Sequence, residues 1–187
     1  MEIKNYSFSV FQDYAKDGIS NAIKECNEQN KTPIIVCVGS DLVLGDSLGP
    51  LTGTFLKQKN CNAYIYGTLN VTVSAREISF AKTELKKMHP DSFVIAIDAA
   101  VGKPEDVGAI RVINDGLRPG KGVNKELGLL GDLSIIGVVA SKSQNNYNLF
   151  NLTRLNLVYK MASVISSSVS QYISLFEKDK KDFSSIY

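Results

Sequence analysis

The chain has 187 residues, 44% of them hydrophobic, enough to bury one substantial core, and a single domain over 1–187 is expected. Its 21 basic and 19 acidic side chains leave a net charge of +2, which excludes the concentrated positive field of a nucleic-acid-binding surface. No stretch approaches the roughly 20 apolar residues that span a bilayer, and the opening MEIKNYSFSV lacks a signal peptide's apolar segment, so a soluble, cytoplasmic protein without membrane partners is expected.

In chain order, Phe11, Tyr14, Ala15, Ile19, Ala22, Ile23 and Cys26 recur at three-to-four spacing, predicting an amphipathic helix over about 10–27. The core is expected over about 30–176. It opens with PIIVCVG, an unbroken, β-branched run that suits a strand covered on both faces. A loop with Asp41 and Asp46 follows, and then Leu48, Leu51, Thr52, Phe55 and Leu56 repeat at helical spacing, with Pro50 in the first turn where its missing N–H does little harm. NAYIYGTL reads as a strand, and SAREISFAKTELKKM as a helix opened by a capping box between Ser74 and Glu77. DSFVIAIDAA, GAIRVI and LSIIGVV supply further strands, and the spacing from Leu155 to Phe176 marks a long closing helix before a charged, solvated tail over about 177–187. Strands alternating with helices predict an α/β domain with helices on both faces of a mainly parallel sheet.

Cys26, Cys37 and Cys61 lack metal-site spacing and cannot all pair, so they read as free thiols. The one histidine, His89, precedes Pro90 ahead of the Phe93 strand, at the edge opposite the loops that follow the strands, which argues against a serine–histidine triad and against a metal-ligating role.

Ligands of open α/β sheets bind beyond the carboxyl ends of the strands. Asp46 follows the strand ending near Val38, and Asp98 follows FVIAI, so parallel strands would bring both carboxylates to one edge. Such a pair can share a proton, work as acid and base on a carbonyl, or hold a divalent cation. Asp46 equally suits a helix cap, and Asp41 a turn. Asp98 closes an apolar run, where an unpartnered carboxylate is costly, and is the stronger functional candidate. NDGLRPGKGVNKELGLLGD sets Arg118, Lys121 and Lys125 among glycines, and reads either as a surface loop or as a binder of a substrate carboxylate or phosphate. It lacks the order of a P-loop.

CVGSDLVLGDSLGPLTGTFL, followed by YGTLNVTVSA, PDSFVIAIDAAVGK and PGKGVNKELGLLGDLSIIGVV, closely resembles the YyaC family of sporulation proteins over about residues 30–165. That family is similar to the germination protease, which degrades small acid-soluble spore proteins, and more distantly to the hydrogenase maturation endopeptidases. The resemblance implies a three-layer α/β/α sandwich of phosphorylase/hydrolase-like fold. Asp46 in GDSLGP stands where the germination protease has an aspartate and the endopeptidases a metal-binding acidic residue, and Asp98 matches the second acidic position of both. The endopeptidases' third ligand, a histidine, has no counterpart here, since Lys125 or a neighbour stands in its place.

The resulting expectation is a spore-protease-like peptidase with Asp46 and Asp98 as the catalytic pair and no required cofactor. A divalent metal between the two carboxylates is the alternative. Ser40, Asp41, Arg118, Lys121 and Lys125 are the expected substrate-binding residues. The expected partner is a peptide or protein, small acid-soluble spore proteins among them, in the forespore or spore interior that the resemblance implies. A non-catalytic protein that binds peptide in the same cleft is the rival reading, and self-association into a homo-oligomer stays open.

Overall fold

The computed structural model describes residues 3–118, 128–141 and 153–184. In chain order these form β1 (Asn5–Ser9), α1 (Ala15–Cys26), β2 (Pro33–Cys37), α2 (Leu48–Gln58), β3 (Tyr64–Tyr66), α3 (Ile78–Met88), β4 (Phe93–Gly102), β5 (Ala109–Ile113), β6 (Leu133–Ser141) and α4 (Leu155–Ser184), with single 3-10 turns at Gly45–Ser47 and Pro104–Asp106.

The strands build one sheet in the order β1-β5-β6-β4-β2-β3. β6, β4, β2 and β3 run parallel, while β5 is antiparallel to both β6 and β1. The sheet is therefore mixed but mostly parallel, in keeping with the expected class. Because β2 and β4 are buried on both faces, their side chains alternate between two apolar layers. Ile35, Cys37, Ile95 and Ile97 pack with Ile19 and Ile23 of α1, Leu48 and Leu56 of α2, and Val158, Ile165 and Val169 of α4. Ile34, Val36 and Ala96 pack on the other face with Ile78 and Leu85 of α3. The three-layer α/β/α arrangement follows from that alternation.

Four local features differ from expectation. β1 lies where no strand was predicted; Tyr6 and Phe8 alternate inward, and their partner, β5, is distant in the chain. β4 runs two residues beyond the predicted DSFVIAIDAA segment, to Gly102, paired with β6 through a register shift between Ala100 and Val101. The charged segment after Phe176 is helical to Ser184 rather than a loose tail, pinned by Lys24–Asp179 at 2.9 Å and by Lys180 Nζ to Thr32 Oγ1 at 3.0 Å. At the predicted capping box, the Glu77 carboxylate accepts from the Ser74 N–H at 2.9 Å, but the Ser74 hydroxyl accepts from Arg76 N–H at 3.3 Å, so the pair closes the turn before α3 rather than capping it.

Two consequences bear on function. From β2 the chain crosses through α2 to β3 on one side, whereas from β4 it departs toward β5 and β6 on the other, so the strand order reverses between β2 and β4. At such a reversal the two outgoing loops part and leave a crevice beyond the strand ends. Among the described residues no helix is long and apolar enough to cross a membrane.

Candidate functional site

Asp98 sits inside β4, opposite Ile136 of β6. β2 ends beside it: Cys37 is level with Ile97, and the Val38 N–H makes the last bond across, to the Ile97 carbonyl at 2.7 Å. Backbone groups of alternate residues point to the same neighbour, so the Ala99 N–H faces the lane that β2 has just vacated. The Asp98 carboxylate accepts from that N–H at 2.8 Å, which turns it toward the vacated lane.

Asp46 arrives at the same place from β2. The 3-10 turn Gly45–Ser47 packs against β4, and the loop closes on itself where the Ser40 N–H donates to the Asp46 carbonyl at 3.2 Å. Gly39 makes this closure feasible: at φ +139° it lies against the Asp46 carbonyl, in space that a Cβ would fill. Further along, a Cβ at Gly49 would overlap the Val38 carbonyl, and one at Gly53 the Gly67 carbonyl, so α2 rests directly on the backbone at the carboxyl end of β2 and β3. Sequence reasoning passed over these positions, although two glycines four residues apart on one helix face were a readable sign of close backbone approach.

The two carboxyl groups differ in electrostatics. Burial raises the Asp46 pKa, and the Ser40 amide, which favours the ionised form, opposes the rise. Burial likewise pushes Asp98 up, to about 7; its bond from Ala99 N–H works against the shift, and the neighbouring Asp46 charge adds to it. The pair is thus electrostatically linked, with Asp98 the carboxyl that keeps its proton longer.

The capping reading of Asp46 does not hold: neither the 3-10 turn nor α2 has a side-chain cap, and Ser47 turns its hydroxyl back to the Leu44 carbonyl at 2.6 Å. Ser40 is half-buried at the mouth, and its Oγ accepts from Leu42 N–H at 3.2 Å, so serine rather than Asp41 shapes the turn; Asp41 is exposed. Arg118 is not brought to the pair. It stands near the amino end of β6, exposed and ion-paired with Asp115 at 3.2 Å. Lys121 and Lys125 lie outside the described residues.

His89 follows α3 at the amino edge, where its Nε2 meets the Tyr66 hydroxyl at 2.8 Å and its ring lies 4.6 Å from that of Tyr64. Among the described residues no cluster of three or more His, Cys, Asp or Glu could hold a metal ion. The donors at Asp46 and Asp98 therefore do not fit a closed nickel or zinc centre, which takes three or four protein ligands. A cavity of about 390 Å³ opens at the amino edge, among Thr32, Asn62, Tyr64, Phe176, Glu177 and Lys180. Its polar side chains already pair with one another, Asn62 with Glu177 and Lys180 with Thr32, and it is remote from the carboxylates.

Comparison with known proteins agrees with this architecture. The chain is 40% identical over 141 residues, 75% of its length and 69% of the relative's, to the uncharacterized protein YyaC of Bacillus subtilis (strain 168). Its fold is similar to that of a NiFe hydrogenase maturation protease, HycI, from Thermococcus kodakarensis KOD1, with a TM-score of 0.51 over 81% of this chain and 98% of that one. At 13% identity that is a likeness of fold alone. The expected kinship with YyaC is borne out, and the expected resemblance to the hydrogenase maturation endopeptidases is borne out as a likeness of fold. The family model described as "Protein of unknown function (DUF1256)" matches residues 6–168, and the chain belongs to that family.

Proposed function

We propose that the chain is a peptidase in which Asp46 and Asp98 hydrolyse a peptide bond. What carries the reading is the placement of buried Asp98, its carboxyl pushed up to about 7, beside Asp46 at the strand ends where the strand order reverses. One acid and one base from two chemically identical side chains is what amide hydrolysis near neutrality requires.

Water is positioned by ionised Asp46, and its oxygen adds to the substrate carbonyl carbon as one of its protons passes to Asp46 and Asp98 gives its own proton to the carbonyl oxygen. When the resulting gem-diol collapses, the C–N bond breaks, the leaving nitrogen takes the proton held by Asp46, and Asp98 recovers a proton from a diol hydroxyl. Both carboxyl groups end as they began. Ser40, whose Oγ accepts from the backbone, keeps its hydroxyl proton to offer a substrate carbonyl. The fold shared with a hydrogenase maturation protease supports this reaction class and carries no substrate with it. The family likeness makes small acid-soluble spore proteins, within the forespore, the first substrates to try.

The full chain is incubated with spore-protein extract and with proteome-derived peptides, with and without a chelator, and the products are read by mass spectrometry. Asp46→Asn and Asp98→Asn are each expected to lower cleavage by about 10²-fold or more. Unchanged cleavage in both variants removes the pair, and peptides retained but left intact turn the protein into a binder. Cleavage that is lost with chelator and restored by a divalent ion replaces the proton-sharing scheme by a metal-dependent one.

A further inference from the structure

Leu42, Val71 and Leu69 are 88%, 72% and 39% exposed, and all three ride on the two loops that leave β2 and β3 at the carboxyl edge. Leu42 stands within the loop that the Ser40–Asp46 bond closes, four residues before the carboxylate. The other two stand on a turn whose backbone is satisfied: Thr68 N–H donates to the Val71 carbonyl at 2.9 Å, Val71 N–H to Thr68 Oγ1 at 3.2 Å, and Leu69 N–H to Thr54 Oγ1 of α2 at 2.9 Å. Single exposed apolar side chains are ordinary on any protein. These are exposed on loops that leave adjacent strands, at the edge that carries the two aspartates, and no charged residue occurs between Gly67 and Val73.

Register sets the reach. Val73 bridges Val38, and Val38 bonds Ile97, so the root of the second loop lies two strand spacings, about 10 Å, from β4 at Asp98. An extended peptide advances about 3.3 Å per residue, so a bond held at the carboxylates places a side chain three or four residues away over these loops.

We infer that Leu42, Leu69 and Val71 form an apolar subsite that selects a large aliphatic or aromatic side chain three or four residues from the cleaved bond of an extended substrate. The inference rests on the peptidase reading and names the substrate class for it. The occupant is the substrate because one loop carries both Leu42 and Asp46, so whatever lies across the carboxylates passes over the rim.

Proteome-derived peptides are digested with the wild-type chain and with a Leu42→Ser, Val71→Thr double variant, whose circular dichroism and melting confirm folding. In parallel, immobilised Asp98→Asn protein, with and without the same two changes, is used to retain peptides from the same mixture. The wild type is expected to enrich Leu, Ile, Met, Phe or Tyr at one position three or four residues from the cut. The double variant should lower the kcat/KM ratio between apolar and serine-bearing peptides by about tenfold or more. Cleavage with no such preference, or with a preference the double variant keeps, overturns the subsite and leaves the peptidase standing. Apolar peptides retained but never cut, and lost with the double change, keep the subsite and remove the peptidase. A wild-type dimer in sedimentation that the double variant turns into a monomer gives the surface to a second copy and overturns the inference.

Discussion

Asp46, delivered by the turn before α2, lies close enough to Asp98 on β4 for its negative charge to help hold the Asp98 proton in place. The two residues are 52 positions apart in sequence and meet because β2 stops short while β4 continues.

The pH dependence of cleavage follows from that asymmetry. Activity needs ionised Asp46 and protonated Asp98, so kcat/KM for a fluorogenic peptide should rise through the acidic limb set by Asp46, above the ordinary carboxylate value, and fall as pH passes about 7. A rate that keeps climbing between pH 7 and 9 would remove Asp98 as the acid.

Stability should carry the same signature with a definite sign. Between the ordinary value of 3.8 and about 7, folded Asp98 keeps a proton that the unfolded chain has released, so raising pH through this window lowers stability. Asn at position 98 can still accept the Ala99 N–H without bearing charge. In urea unfolding, Asp98→Asn should therefore gain on the wild type by about 1–3 kcal/mol more at pH 8 than at pH 4. Equal differences at the two pH values would show that the carboxyl is not perturbed.

The contact of α2 with the strand ends is tested at its glycines. A methyl group at Gly49 or Gly53 meets the carbonyl of Val38 or Gly67, neither of which can move aside as a side chain tip would. Gly49→Ala and Gly53→Ala are each expected to lose about 1–3 kcal/mol on urea unfolding, and to lose more cleavage than their instability explains, since α2 carries Asp46 at its entrance. Losses below about 0.5 kcal/mol, the range of neutral surface changes, would contradict the packing.

Cys37 is fully enclosed in the core and its pKa is driven up by burial, while half-buried Cys61 is pushed up to about 11. Cys37 should be silent to a thiol reagent in the native protein and appear on denaturation. Cys37→Ala should leave the native thiol count unchanged; a lower native count would place Cys37 in contact with solvent.

Much of the architecture was legible because β2, β4 and β6 are buried on both faces and therefore spell continuous apolar runs, and because α1, α2 and α4 each show a helical stripe. Asp98 stood out since a carboxylate ending such a run needs a reason. β1 escaped notice because its signal is only the alternation of Tyr6 and Phe8 with Asn5, Ser7 and Ser9, and its strand character depends on β5. The extension of β4 was hidden because Val101 and Gly102 carry no distinctive pattern and are held by pairing with β6. The grouping of Arg118 with the aspartates came from its charge and the glycines around it, signs that are blind to the edge of the sheet a loop grows from.

α4 begins after β6 and its thirty residues lie across both α1 and α2. The inner face of α1, with Ile19 and Ile23, is enclosed by side chains such as Val169 and Ile173. During synthesis α1 therefore lacks its covering until α4, which follows every strand of the sheet, has been made. The order of translation and the order of consolidation are opposed, and a chain released early would expose the apolar stripe of α1 to whatever chaperone or neighbouring nascent chain meets it first.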